Sequence, residues 1–180
     1  MANVILHGRE FEPYISSEQV GRASQLLAPS IDMCYADVAQ TPLFLVVLSG
    51  GMHFGSTLSR KLQTPVEYAF IKCRSYKGLC STGKVSIEAY LGSPIKGRDV
   101  LVVDDVVDTG MTYDSLREYL LGQGARSVRL ATMCFKPTVF KGVNRPDFVA
   151  LEIDDIFIVG YGLDYNQLGR NIDGIYKLKP

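Results

Sequence analysis

The sequence predicts an α/β fold whose central, mainly parallel sheet is flanked by helices. Short apolar runs alternate with segments of helical periodicity, which is the pattern of β-α-β units. The unbroken run Leu43–Leu48, followed by Ser49-Gly50-Gly51, is typical of a strand buried on both faces of a sheet. In such sheets ligands bind at the carboxyl ends of the strands. Functional residues are therefore expected directly after Leu48, Val103 and Phe135.

The elements are expected in the following order. Ser16 and Gln19 have the spacing of a capping box, and apolar residues then recur at helical spacing as far as Val38, with Pro29 as an expected interruption. The polar segment 74–84 is expected to be a loop. Further helices are predicted over Phe54–Leu62 and Tyr113–Leu121, and further strands over Val66–Cys73, Val85–Tyr90, Val100–Val103, Val128–Phe135 and Phe157–Val159.

Composition excludes several classes of protein. Apolar residues make up 47% of the 180 residues and charged residues 21%, as in ordinary globular proteins. The 19 basic residues balance the 19 acidic ones, so no general attraction to nucleic acid or to a membrane surface is expected. No apolar run is long enough to span a bilayer, and Met1–Pro13 carries too many charges for a signal peptide. The four cysteines lack CxxC spacing, which favours reduced thiols in a cytoplasmic protein over a zinc site.

Residues 100–112 (VLVVDDVVDTGMT) carry the strongest functional signal. Three carboxylates, Asp104, Asp105 and Asp108, follow the apolar run, and residues 109–112 then open a helix. A glycine turn, hydroxyl groups and free amides at a helix N-terminus form a phosphate site. Adjacent carboxylates would repel that phosphate unless they accept hydrogen bonds from a diol or bind magnesium. The predicted ligand is a ribose phosphate; the alternative is a set of solvated acids before an ordinary helix cap.

With this segment, the chain resembles the type I phosphoribosyltransferases and, more narrowly, the hypoxanthine (guanine) phosphoribosyltransferases. The resemblance covers about Leu43 to Arg170. It implies the type I fold over residues 1–180 as a single domain, with a small hood built from the N-terminal and C-terminal segments and a mobile loop at about 74–84. The pieces that carry it are LSGG at 48–51, RSY at 74–76, STG at 81–83, the segment above, FKP at 135–137, PDFV at 146–149 and FIVGYGLDYN at 157–166.

The resemblance also implies a reaction. Such enzymes serve purine salvage: they transfer 5-phosphoribosyl from phosphoribosyl pyrophosphate (PRPP) to hypoxanthine, and to guanine, giving IMP or GMP and pyrophosphate. The implied partners are PRPP and a 6-oxopurine, without nucleic acid or membrane, and the implied assembly is a homodimer or homotetramer. The implied cofactor is magnesium, held by Asp104, Asp105 and Asp164.

The PRPP segment matches the family residue by residue. Asp104 and Asp105 match the acid pair on the ribose hydroxyls, although Asp104 is one methylene shorter than the glutamate that is frequent in the family. Asp108 belongs to the same segment and matches the general base that accepts the purine N7 proton. Met111 stands where the family often has lysine. The residues that match the 5′-phosphate cradle are Thr109, Gly110 and Thr112.

The resemblance implies a pyrophosphate site built from separate parts of the chain. Gly50 and Gly51 match a loop whose bare amides approach an anion closely, with Ser49 where some relatives carry lysine. An ordinary Gly-Gly turn is the alternative. The other residues that match pyrophosphate contacts are Ser75 and Tyr76, in the loop that is expected to close, and Arg170.

The purine site is implied by four later residues. Lys136 matches the lysine on the 6-oxo group, and because an ammonium donates and never accepts, it disfavours adenine. Phe157 matches the aromatic that stacks on the base, although an aromatic in an apolar run would otherwise be assigned to the core. Ile158 matches the residue whose backbone contacts the base edge, and Asp164 the acid near the purine 2-position.

Three alternative interpretations compete with this one. Residues 78–84 have the GxxxxGK spacing of a P-loop, but Val85 stands where serine or threonine is needed and a strand pattern follows. Xanthine stays open as the principal substrate, because it is also a 6-oxopurine. A regulatory protein that binds PRPP is disfavoured by the balanced charge and by the presence of both Asp108 and Lys136.

Overall fold

The computed structural model describes residues 2–75 and 85–179. For residues 74, 75 and 85 the structure describes the backbone alone. The elements are β1 (Val4–Leu6), β2 (Arg9–Ile15), α1 (Ser17–Tyr35), β3 (Leu43–Leu48), α2 (Met52–Ser59), β4 (Glu67–Ser75), β5 (Val85–Leu91), β6 (Asp99–Val107), α3 (Met111–Gly122), β7 (Ser127–Phe135), β8 (Phe148–Glu152), β9 (Ile158–Val159) and β10 (Ile175–Leu178).

A six-stranded sheet forms the centre of the fold, in the order β5-β4-β3-β6-β7-β8. All neighbouring strands are parallel except β5, which runs antiparallel to β4. The apolar runs of β3 and of the first half of β6 are buried on both faces, between one cluster that includes α1 and α2 and another that includes α3. The predicted α/β class, with a mainly parallel central sheet flanked by helices, is confirmed.

Helix α1 begins as the sequence predicts, but it lacks the predicted interruption and ends at Tyr35, before Val38. The Ser16 side chain accepts the Gln19 amide at 3.2 Å, and the Gln19 side chain accepts the Ser16 amide at 2.8 Å, which completes the capping box. The helix then continues through Pro29, where an interruption was predicted. A proline inside a helix costs about 3 kcal/mol. Burial of the apolar face on both sides of it, including Leu27 and Ile31, offsets that cost.

A second sheet has four antiparallel strands in the order β1-β2-β10-β9. It joins the two ends of the chain, and its small core consists of Phe11, Val159 and Tyr176. Of the strands in this sheet, periodicity predicted only β9, as Phe157–Val159, and in the central sheet it missed β8. Strands β1, β2 and β10 escaped prediction because they are short or mix charged residues and Pro13 among apolar ones.

Residues 74 and 75, the start of the predicted loop at 74–84, belong instead to β4, and the rest of that loop lies outside the described residues. Within the part of the chain that the structure describes, no helix is long and apolar enough to cross a membrane.

Candidate functional site

The carboxyl ends of β3, β6 and β7 lie side by side, because β6 pairs in parallel with both other strands. The segments that leave these ends are Ser49-Gly50-Gly51, Asp108-Thr109-Gly110 and the loop from Lys136. The topology therefore brings together the three strand ends at which the sequence predicts functional residues.

The acid pair lies within β6 and not after it, which corrects the predicted end of that strand. Asp104 pairs with Thr132 of β7, and pairing continues to Val107. The Asp105 amide donates to Asp104 Oδ1 at 3.0 Å, and the Val106 amide donates to Asp105 Oδ1 at 2.9 Å. The strand thus holds both carboxyls in defined positions.

Burial makes both carboxyls of this acid pair reluctant to ionise. Desolvation raises the pKa of Asp104 well above its usual value, and the neighbouring charge of Asp105 raises it further. Desolvation also raises the pKa of Asp105, partly offset by its hydrogen bonds and by the positive charge of Arg170. Two crowded carboxyls of this kind are suited to hydroxyl donors or to a cation.

The N-terminus of α3 forms a potential anion site beside these acids. Gly110 precedes the helix with φ +81°, and no side chain caps the first turn. Gly110 packs closely against the Phe140 ring, and a Cβ at this position would overlap that ring. The Lys141 amide donates to the Thr109 carbonyl at 3.0 Å and ties the turn to the loop after β7. The amides at the start of α3, with the exposed Thr109 and Thr112, can therefore receive a phosphate.

The glycine pair after β3 is required by close packing. A Cβ on Gly50 would overlap the Asp105 carboxylate, and one on Gly51 would lie 2.7 Å from the Val103 carbonyl oxygen. The Leu48–Ser49 peptide bond just before this pair is cis. Both glycines therefore lie against β6, next to the acid pair.

Lys136 is buried at the end of β7, with its side chain 9% exposed. Its backbone amide donates to the Val107 carbonyl at 3.0 Å. Its Nζ lies 2.8 Å from Asp108 Oδ1 and 3.6 Å from Asp155 Oδ1. The structure thus brings Lys136 and Asp108 together, and it adds Asp155, which no sequence motif indicated.

The loop after β9 closes against the glycine pair. A Cβ on Gly162, whose φ is +103°, would overlap the Gly50 carbonyl. Arg170 donates to the Gly162 carbonyl at 2.7 Å and forms an ion pair with Asp164 at 2.8 Å. Asp164 also accepts the Gln167 amide at 2.8 Å. Two predicted site residues from the end of the chain are therefore paired with each other beside Gly50.

Phe157 is 47% exposed, so it does not belong to the core. Its ring meets Tyr165 edge-on, at a centroid distance of 5.7 Å, and packs on Phe11 at 6.3 Å. Together with Arg9 and Leu178 these rings line a cleft of about 180 Å³. Ile158, the next residue, is buried and pairs with Lys177. The exposed Phe157 ring thus packs against two further aromatic rings, those of Tyr165 and Phe11.

Two predicted site residues have no described position. Tyr76 lies outside the described residues, and for Ser75 only the strand backbone is described. Sequence reasoning missed Asp155, Phe140, Tyr165 and the hydrogen-bonded pair of Thr57 and Tyr161. Of these, Tyr161 and Tyr165 lie inside the recognised motif at 157–166.

No cluster of three histidine, cysteine, aspartate or glutamate side chains that could hold a metal ion occurs in residues 2–75 and 85–179. Asp164 in particular is engaged by Arg170. A cation at Asp104 and Asp105 would therefore take most of its ligands from a bound substrate and water.

Comparisons with known proteins agree with one another. The phosphoribosyl transferase domain matches residues 23–166. The chain is 35% identical over 167 residues to the hypoxanthine-guanine phosphoribosyltransferase of Bacillus subtilis, covering 92% of each chain. It is 32% identical over 176 residues to the enzyme of that name from Aquifex aeolicus, covering 97% of this chain and 98% of that one. A crystal structure of a hypoxanthine phosphoribosyltransferase from Staphylococcus aureus superposes with a TM-score of 0.87 at 33% identity, over 94% of this chain and 91% of that one.

Proposed function

The chain belongs to the phosphoribosyltransferase family, and from this premise we propose that it transfers 5-phosphoribosyl from PRPP to hypoxanthine and to guanine. The products are IMP or GMP and pyrophosphate, so the enzyme serves purine salvage. The observation that supports this substrate class best is the buried ammonium of Lys136, 2.8 Å from Asp108 at the carboxyl edge of the sheet.

The pair of Lys136 and Asp108 suits a 6-oxopurine. An ammonium is a donor only, so it recognises a carbonyl oxygen and finds no acceptor in a 6-amino group. A carboxylate beside it accepts the proton that a purine ring nitrogen loses as the base becomes a nucleophile. The exposed face of Phe157, held by Tyr165 and Phe11, offers a stacking surface for the base.

The remaining residues bind the phosphoribosyl donor. The amides at the N-terminus of α3, with the hydroxyls of Thr109 and Thr112, hold the 5′-phosphate. Asp104 and Asp105 accept hydrogen bonds from the ribose hydroxyls. The amides around Gly50 and Gly51 hold the pyrophosphate, joined by Arg170 and by the segment of Ser75 and Tyr76. Bond formation at the anomeric carbon and departure of pyrophosphate then complete the transfer.

Magnesium fits the donor set of this site. Desolvation raises the pKa of both Asp104 and Asp105, and the charge of Asp105 raises that of Asp104 further, so a divalent cation beside them would favour their ionised forms. We propose that Asp104 and Asp105, with Asp164, would hold the ion. When bound, magnesium supplies charge neutralisation on the oxygens of PRPP.

Three wider proposals accompany this function. The 180 residues act as one catalytic domain, with the sheet of β1, β2, β9 and β10 as its hood. The enzyme works in the cytoplasm, in line with the free thiols at Cys34, Cys73 and Cys134. It assembles as a homodimer or homotetramer, which sedimentation equilibrium would measure.

The decisive experiment is a spectrophotometric assay with PRPP and magnesium against hypoxanthine, guanine, xanthine and adenine separately. We expect turnover of hypoxanthine and guanine, none of adenine, and loss of activity in excess EDTA that added magnesium restores. Absence of turnover with every purine, while PRPP still binds in a calorimeter, would refute the proposed function. Xanthine as the best substrate would correct its specificity.

A further inference from the structure

Two carboxylates from different parts of the fold face the Lys136 ammonium. Asp108 follows β6 and lies 2.8 Å from Nζ, whereas Asp155 follows β8 and lies 3.6 Å from it. The lysine side chain is 9% exposed, so its charge is largely removed from water. A buried charge that loses its partner strongly destabilises the folded protein. A second carboxylate near Nζ therefore helps to keep the Lys136 ammonium paired.

The backbone holds Asp155 in its position. The Ile153 amide donates to the Phe135 carbonyl at 2.9 Å, which ties the end of β8 to the residue before Lys136. The Ile156 amide donates to the Asp154 carbonyl at 2.9 Å and forms a tight turn around Asp155. Asp155 therefore approaches Lys136 from a segment that is anchored to the same strand end.

Asp108 cannot serve as the permanent partner of Lys136 if the proposed reaction is correct. The 6-oxo group of the purine must contact the ammonium, and Asp108 must face the N7 proton. When Asp108 takes up that proton it loses its negative charge, so Asp155 is then the remaining counter-charge within 4 Å of Nζ among the described residues. Asp155 has no assigned task on the substrate, and its carboxylate can keep its pairing while the base enters.

We propose that Asp155 is a positioning residue, which holds the Lys136 ammonium in place for the 6-oxo group of the purine. The inference rests on the proposed function, since it takes the purine contact of Lys136 from there. Asp155 acts through Lys136 and does not touch the substrate. Its negative charge is the essential property, because an uncharged side chain of the same shape leaves the buried ammonium with Asp108 alone.

The test is steady-state kinetics of Asp155→Asn, with Asp155→Glu as the conservative variant and Asp154→Asn as the matched control. We expect the KM for hypoxanthine to rise about two- to fivefold in Asp155→Asn, as for the loss of one partly exposed ion pair, with the KM for PRPP unchanged. Asp155→Glu should restore most of the loss. Asp154→Asn, whose carboxylate is one residue away and makes no described ion pair with Lys136, should behave as wild type.

A double-mutant cycle shows whether the effect passes through Lys136. In a Lys136→Gln background, Asp155→Asn should change kcat/KM for hypoxanthine no further, because the charge that it positions is gone. Equal losses in both backgrounds, or equal rises in the KM for purine and PRPP, would overturn the inference. A wild-type enzyme that turns over no purine would instead refute the proposed function, so the two failures are distinct.

Discussion

Lys136 Nζ lies 2.8 Å from Asp108 Oδ1, although the two residues leave the ends of different strands. The lysine is buried and the aspartate is half exposed, with 53% of its side chain accessible. A donor that is sheltered from water and an acceptor that is open to the site thus stand side by side. This arrangement fits a purine that is held at one atom by the donor and deprotonated at another atom by the acceptor.

Replacing Asp108 by asparagine is expected to remove the proton acceptor and preserve the shape of the site. The rate constant of the chemical step in a single turnover should fall by about 10²–10⁴, the usual contribution of a general base. Binding of PRPP, followed by calorimetry, should stay within about twofold of wild type. An unchanged rate constant would show that Asp108 is not the base.

Truncation of the Lys136 side chain should weaken binding of the purine and leave binding of PRPP unchanged. For Lys136→Ala we expect the KM for hypoxanthine to rise about ten- to a hundredfold, as for the loss of one charge-assisted hydrogen bond. Lys141→Ala, which removes a lysine from the same loop, is the control and should leave both KM values unchanged. If Lys136→Ala weakens the binding of both substrates equally, the lysine contributes only to the structure of the site.

A methyl group at Gly50 should disturb the pyrophosphate site. Because its Cβ would overlap the Asp105 carboxylate, Gly50→Ala must displace the acid pair or the loop, at a cost of about 1–3 kcal/mol. We expect PRPP binding to weaken at least about tenfold in calorimetry.

Gly21→Ala is the matched control for Gly50→Ala. Gly21 lies inside α1, and beyond the helix's own nearby backbone an added Cβ would meet no described atom within 4 Å. Its replacement should stabilise the protein by about 0.4–1 kcal/mol and leave PRPP binding unchanged. PRPP binding by Gly50→Ala as tight as that of this control would contradict the proposed role of the glycine loop.

Asp104→Asn should make the ligand-free protein more stable at neutral pH and less active. Since the pKa of Asp104 is raised in the folded state, the folded protein binds more protons than the unfolded one above about pH 4. The free energy of unfolding therefore falls as the pH rises from there through the raised pKa. The asparagine variant lacks this loss, and each kcal/mol gained raises Tm by about 2–4 °C in a protein of this size.

Scanning calorimetry at pH 7 and at pH 4 checks this prediction. The variant should melt higher than wild type at pH 7, and the difference should shrink at pH 4, where the wild-type carboxyl is largely protonated. Asp37→Asn, at an exposed position after α1, should show no such difference. A variant that melts lower than wild type at pH 7 would contradict the assigned cause of the raised pKa.

Local patterns in the sequence predicted the elements that are buried on all sides. The runs of β3 and β7 and the capping box at Ser16 agree with the structure within a residue or two. The end of β6 was predicted wrongly, because the carboxyls of Asp104 and Asp105 resemble a loop until pairing with β7 is known. The strands of the second sheet were missed since they pair only when both ends of the chain meet.

The sequence by itself determined the α/β class, the order of the central elements and the acidic segment that opens α3. These follow from short-range periodicity and from residue types that suit one chemistry. Only the tertiary structure decided that Asp108 and Asp155 share the Lys136 ammonium and that Arg170 is paired with Asp164. The first of these relationships joins the ends of separate strands, and a contact between strand ends depends on the order of strands in the sheet. That order arises from the packing of the whole chain, which no local pattern contains.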